Sequence, residues 1–214
     1  MAEVAWRLTS AAAPHTVMNM FDERVQTRRD QQREQTRARI VETAQRLFVS
    51  EGFQATTIRK IAQAAAVSVG SVMAVGDKDS LLLMTFDRWI GAVHAQRAAE
   101  EPRPIGSPVQ AVGEAVQPFL DLFSANPGLS REYGAILARG AHRTEVFGAL
   151  ATTLKGEFEQ IARVARPDEA APAAARALYY GYLGLLRAAS ASGQDPQIVR
   201  AGLEDIAATV LRTD

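Results

Sequence analysis

The sequence predicts an all-α chain of about nine helices, and three observations carry that prediction. Apolar residues recur three and four positions apart in one segment after another, as in Ile40, Ala44, Leu47 and Phe48 or Leu154, Phe158 and Ile161. No segment alternates with the period of two that a half-buried strand needs, and no internal repeat is found. Glycine and proline gather between the periodic segments, at Gly52, Gly76, 101–108, Asn126-Pro127-Gly128 and Gly193 to Pro196.

The elements follow in order. Residues 1–20 are alanine-rich without sustained periodicity and read as a disordered lead, with Met18 or Met20 as alternative starts. The charged run from Phe21 to Arg33 either extends helix 1 or stays an arm. Helix 1 is expected from Glu34 to Glu51, closed by Gly52 as the residue after its C-cap. Thr56 or Thr57 caps helix 2, whose apolar face is Ile58, Ile61, Ala62 and Ala65. Ala64 to Val67 makes a corner, and Ser68 caps helix 3, which runs to about Met73. Gly76-Asp77 breaks that helix, and Asp77 or Asp79 caps helix 4, expected over 79–100. After the Pro/Gly loop 101–108 comes a helix over 109–125, which Pro118 is expected to kink or split. The remaining helices are expected at 129–142, 144–166, 169–192 and 196–212.

Two short helices joined by a three- to four-residue corner form the helix-turn-helix plan, in which the second helix lies in the major groove of DNA. Over the same stretch the chain reads Ile40-Val41, Ala44, Leu47-Phe48, Gly52-Phe53, Thr56-Thr57, Ile61-Ala62, Ala65-Ala66-Val67-Ser68, Gly70-Ser71 and Lys78-Asp79 with Leu81-Leu82. In this order and spacing the run resembles the N-terminal domain of tetracycline-repressor (TetR) family transcriptional regulators. The resemblance spans about forty residues; the remainder is similar to the family only in length and helical character. It implies a homodimer that grips double-stranded operator DNA at two half-sites and releases it to a small-molecule effector. It also implies that Lys78 binds a phosphate and that an N-terminal arm can reach the duplex. Three departures stand out: Ala66 occupies the usual turn glycine, Met73 the usual tyrosine, and the stretch before Lys78 is short and apolar (Ala74, Val75). An alanine forced into left-handed backbone there costs ~1–2 kcal/mol.

Charge agrees locally and not globally. Net charge is zero, but from Arg24 to Lys60 nine basic residues face four acidic ones, the excess a phosphate-binding surface requires. The expected DNA contacts are Arg37, Arg39, Thr56, Thr57, Arg59 and Lys78 on phosphates. Ser68, Val69, Gly70, Ser71 and Met73 would face the bases, with Val69 and Val72 against thymine methyls. The chain is read as an arm over 1–33, a helix-turn-helix domain over 34–78 and a helical body over 79–214. Without cysteine, disulfide and thiol chemistry are excluded. No apolar run approaches 18 residues and no secretion signal is visible, so a cytoplasmic protein is expected.

The body supplies two further expectations. Phe86, Trp89, Phe119, Phe123 and Tyr133, with Leu137, Phe147, Leu150, Phe158 and Tyr179, would line a largely apolar effector cavity between helices 4 and 7. An aromatic at helical spacing is as readily plain core. Small residues at 173, 177, 181, 184 and 188 let another helix approach closely. On that basis Leu178, Gly181, Tyr182, Leu185, Leu203, Ile206 and Val210 are expected to form a four-helix dimer interface; the other reading has these stripes facing the protein's own core.

Enzymatic chemistry finds little support. His15, His94 and His142 lie far apart with no metal-ligand spacing, and no nucleophile–base pair stands out. Gly70 to Lys78 has the wrong glycine spacing for a phosphate loop. No catalytic residue, metal or cofactor is expected. The sequence therefore reads as a ligand-responsive repressor. Two other readings remain open: a dimeric sensor or partner-binding module with weak DNA reading, and an all-α enzyme.

Overall fold

In the computed structural model the described residues are 15–100, 105–140, 145–166 and 169–212, with side chains described from residue 28 onward and outside 145–150. Among them every regular element is helical: α1 His15–Glu51, α2 Ile58–Ala64, α3 Val69–Val75, α4 Lys78–Ala99, α5 Pro108–Ala125, α6 Pro127–Arg139, α7 Glu145–Ala165, α8 Ala171–Ser192 and α9 Ile198–Val210. The all-α expectation is met. Two compact units emerge, residues 1–39 and residues 40–214.

The first unit holds the amino-terminal length of α1, which begins at His15 rather than near Glu34. The expected disordered lead is thus corrected for residues 15–20, and Phe21 to Arg33 continues the helix. From 28 to 39 every side chain is exposed except that of Thr36, which is half-buried and donates to the Gln32 carbonyl (2.8 Å). The first fourteen residues lie outside the described ones.

In the second unit, the end of α1 with α2, α3 and the start of α4 forms a small head. Ile40, Ala44, Phe48, Phe53, Ile61, Ala62, Ala65, Val72, Leu81 and Leu82 are buried in it. Each helix end is closed by the residue type its geometry needs. Gly52 follows α1 at φ +81°, left-handed backbone that glycine adopts without a Cβ clash. Thr57, not Thr56, caps α2 by accepting from Lys60 N; Ser68 caps α3 by accepting from Ser71 N; Asp77, not Asp79, caps α4 by accepting from Ser80 N.

Helices α5 to α9 build the body. α7 packs on α8, α8 on α9, and α9 on α5, while α4 runs from the head to touch α5, α6 and α7. Pro118 neither splits nor ends α5, which is continuous to Ala125. α6 starts at Pro127, so the proline of the expected turn is the first residue of a helix, where its missing N–H costs no hydrogen bond. α6 ends at Arg139 with Gly140 left-handed at φ +66°, three residues short of the expected end. Ser192 ends α8 as expected, with Gly193 at φ +67°. No single described helix is long and apolar enough to cross a membrane.

Side chains as well as the chain itself tie head to body. Arg139 of α6 is paired with Asp79 at the start of α4 (2.8 Å), and Gln54 of the head donates to Glu132 of α6 (2.8 Å).

Candidate nucleic-acid interface and body cavity

The corner between α2 and α3 bends the chain by 108°, within the ~90–120° of a helix-turn-helix. Val72 faces inward at 0% exposure and anchors α3 on the head core. Its expected contact with thymine is therefore corrected: one turn of a two-turn helix cannot face core and duplex at once. The opposite face is open. Val69 and Met73 are about half exposed, at 46% and 51%, and Ser68, Gly70 and Ala74 are exposed beside them. A Cβ added at Gly70 would meet nothing nearer than Ser68 Oγ at 3.7 Å. The backbone there is accessible to whatever the face meets.

The polar content of this face is small and partly engaged. Ser68 Oγ accepts from Ser71 N at 3.0 Å and lies 2.9 Å from Ser71 Oγ. Each hydroxyl carries one proton and two acceptor sites. One proton bridges the pair, and the other remains to donate outward.

Among the expected phosphate ligands, Thr57 and Arg59 are exposed at the start of α2, and Arg37 and Arg39 are exposed on α1 in the first unit. Thr56 is corrected: it is fully buried, and its hydroxyl donates to the Gly52 carbonyl (2.8 Å), closing the turn after α1. Lys78 is half-buried. Its ammonium donates to the Phe53 carbonyl (3.1 Å) and sits 4.2 Å from the Phe53 ring centroid, which leaves donors on the same nitrogen for an anion. Lys60 is held by Glu51 (2.6 Å) and the Ala55 carbonyl.

In the body, the predicted aromatics divide into wall and core. Phe86 is fully buried, stacked on Tyr133 (4.2 Å between centroids) and edge-on to Trp89 (5.1 Å). A cavity of about 530 Å³ opens between the end of α5, α6 and α8. Of the predicted lining, Phe123, Tyr133 and Leu137 face it. A second hollow of about 70 Å³ lies where α4, α5, α7 and α8 meet, and Tyr179 faces it together with Phe123. Phe86, Trp89, Phe119 and Phe158 line neither and serve as packing, which corrects their expected role. Only the small hollow touches α4 and α7; the large cavity lies on α6 and α8. Phe147 and Leu150 lie outside the described side chains, and His142 outside the described residues. Sequence reading missed Arg131, Leu183, Leu186, Arg187 and Ser190. The signal was present, since Leu183, Leu186 and Ser190 fall three to four apart on a second flank of α8.

Two carboxyls and one imidazole in the body are half-buried and shifted from their ordinary values. Burial pushes the Asp87 carboxyl up to about 6, and its Oδ1 has no hydrogen bond. Burial, with Arg97 nearby, lowers the His94 imidazole, whose ring lies against Phe119. Burial raises Glu157 while its partner Arg97, 2.8 Å away, opposes the shift. Among the described residues no group of His, Asp or Glu could hold a metal ion.

The predicted dimer residues are largely spent inside the protomer. Leu178, Tyr182 and Leu203 are buried in its own core. Gly181 and Leu185 face α9: a Cβ on Gly181 would stand 3.0 Å from Ile206 Cδ1, and Leu185 packs at Gly202. Ile206 and Val210 are partly buried against the same core. The outward residues of α8 include Ala173, Arg176, Ala177, Tyr180 (63% exposed), Gly184, Arg187 and Ala188, and beside it α9 exposes Ile198, Ala201 and Ala208.

Residues 40–74 match the model of the bacterial regulatory proteins of the tetR family. No curated protein matches. The fold is similar to that of a transcriptional regulator from Rhodococcus sp. Rha1, with 19% identity, a TM-score of 0.58, and coverage of 82% of this chain and 95% of that one. A further similarity is to NalD, the secondary repressor of the MexAB-OprM multidrug efflux pump in Pseudomonas aeruginosa, with 24% identity, a TM-score of 0.45, and coverage of 81% and 95%.

Proposed function

We propose that this chain, whose residues 40–74 match the model of the tetR family of bacterial regulatory proteins, is a homodimeric, ligand-responsive transcriptional repressor acting in the cytoplasm. The carrying observation is the outward face of α3: it is capped by Ser68, anchored by buried Val72 and bare of covering side chains from Ser68 to Met73. A short helix seated so firmly with its other face open is suited to lie in a major groove. Thr57, Arg59 and Lys78 would bind phosphates, and Arg37 and Arg39 on α1 are proposed as further phosphate ligands. Ser68, Gly70 and Ser71 would meet base edges, and Val69 and Met73 thymine methyls.

The proposed division is an arm over 1–33, a reading head over 34–78 and a body over 79–214. The exposed small-residue strip of α8, with its neighbour on α9, is the proposed dimer face, since alanine and glycine let the partner's helices approach closely. An effector in the large cavity would press on α6, which carries Glu132, bonded to Gln54 of the head, and Arg139, paired with Asp79 at the start of α4. Such an effector switches the protein only if it binds the non-operator arrangement more tightly than the operator-bound one.

A second reading, a sensor with weak sequence preference, draws on the Ser68–Ser71 pairing, which occupies part of the polar capacity of α3. Fluorescence anisotropy separates the two. The repressor reading expects the DNA upstream of the chain's own gene to bind about 10³-fold or more tighter than a scrambled duplex. It also expects affinity for both to fall steeply between 50 and 200 mM salt. Equal affinity for the two duplexes would leave the sensor.

A further inference from the structure

The large cavity carries a charge pattern that restricts what it can hold. Its floor and sides are apolar, made by Phe123, Tyr133, Leu137, Leu183 and Leu186. Its charged residues are two arginines, Arg131 of α6 and Arg187 of α8, and no aspartate or glutamate lines it. Both arginines are exposed and so stand at the open side. Neither is held by an ion pair among the described residues, whereas Arg97, Arg139, Arg163 and Arg200 each face a carboxylate.

We propose that this cavity selects an amphipathic monoanion, a carboxylate carried on a large aromatic or aliphatic body. The body fills the apolar chamber and the carboxylate is taken by Arg131 and Arg187. This rests on the reading of the body as an effector domain and adds the chemical class of the effector. The argument is one of complementarity. A volume of about 530 Å³ suits a ligand of roughly twenty to thirty heavy atoms, within the ~300–1,000 Å³ of small-molecule sites. Guanidinium forks match a carboxylate in geometry as well as charge. A cation at the same mouth would meet two like charges and no counter-charge, and a neutral ligand would leave both arginines to water. The hydroxyl of Ser190, on the same wall, adds a donor for the headgroup.

The test uses the full chain without DNA and three fluorescent probes sharing one ring system: 1-pyrenebutyrate, 1-pyrenebutanol and 1-pyrenebutylamine, titrated at pH 7.5 and constant ionic strength. The acid is expected to bind at least about tenfold tighter than the alcohol, with the amine weakest. Arg131→Gln and Arg187→Gln should each narrow the acid–alcohol gap several-fold, while Arg176→Gln, exposed on α8 away from the cavity, leaves it unchanged. Ala138→Trp, at an exposed position on the rim, should weaken all three probes together by filling the chamber. Equal binding of acid and alcohol, a preference that survives loss of both arginines, indifference to Ala138→Trp, or no binding of the acid below millimolar would each overturn the proposal. Operator release is not read in this titration, so the ligand class and the repressor reading stand or fall separately.

Discussion

Ala66 shows how one atom sets the energy of the reading head. It turns the chain between α2 and α3 at φ +52°, the left-handed region where a Cβ crowds the following carbonyl. The turn is forced there because α2 must stop and α3 must start within four residues. Ala66→Gly removes the clash at the cost of extra unfolded-state freedom, and the first effect is the larger at positive φ. Chemical denaturation should show a gain of about 1 kcal/mol with an unchanged fold, and a loss would contradict the assigned backbone. Asp87 works in the opposite sense. Its carboxyl titrates near 6 in the folded chain against an ordinary 3.8, so folding favours the protonated form. Below the ordinary value both states are protonated and nothing is lost. Between the two values the unfolded state ionises first and stability drains away, and above about 6 the full penalty stands. Asp87→Asn should therefore raise the melting temperature at pH 8 and leave it nearly unchanged at pH 3.5. An equal gain at both values would mean that the carboxylate is not the cause.

At the scale of elements, α6 has two jobs that its sequence did not advertise. One side lines the cavity through Tyr133 and Leu137, while Glu132 accepts from Gln54 of the head and Arg139 pairs with Asp79 where α4 leaves the head. Partly exposed pairs of this kind contribute roughly 0–1 kcal/mol each, so removing them should uncouple rather than unfold. Glu132→Ala with Arg139→Ala is expected to keep 1-pyrenebutyrate and operator affinities within about threefold while abolishing the effect of either ligand on the other. Preserved coupling would return the signal to α4 alone. The same scale shows what the sequence revealed. The head was legible nearly to the residue because caps are chemical: Thr57, Ser68 and Asp77 each accept the N–H of a first turn, and Gly52 closes α1 where glycine is needed. The length of α1 was not, because the run from Phe21 to Arg33 has no apolar stripe to mark it as helix. The faces of α8 were misread for a related reason. Leucines, tyrosines and small residues lie all round that helix, so periodicity alone could not say that Leu178 and Tyr182 face inward, Leu183 and Leu186 the cavity, and Ala177 and Gly184 outward.

For the whole molecule, the proposed reading has the head meet DNA, the body take an anion and the outward strip of α8 pair with a second copy. Everything rests on the outward face of α3 meeting base edges. Gly70 offers the sharpest probe of that face, because an added methyl has room within the protein and none against a duplex lying close on the helix. The decisive measurement is the ratio of affinities for the upstream duplex and a scrambled one, read by anisotropy for the wild-type chain and for Gly70→Ala. The account predicts a wild-type ratio of about 10³ or more that falls at least tenfold in the variant, with the melting temperature unchanged or raised. A ratio near one for the wild-type chain, or one that Gly70→Ala leaves intact, would contradict it.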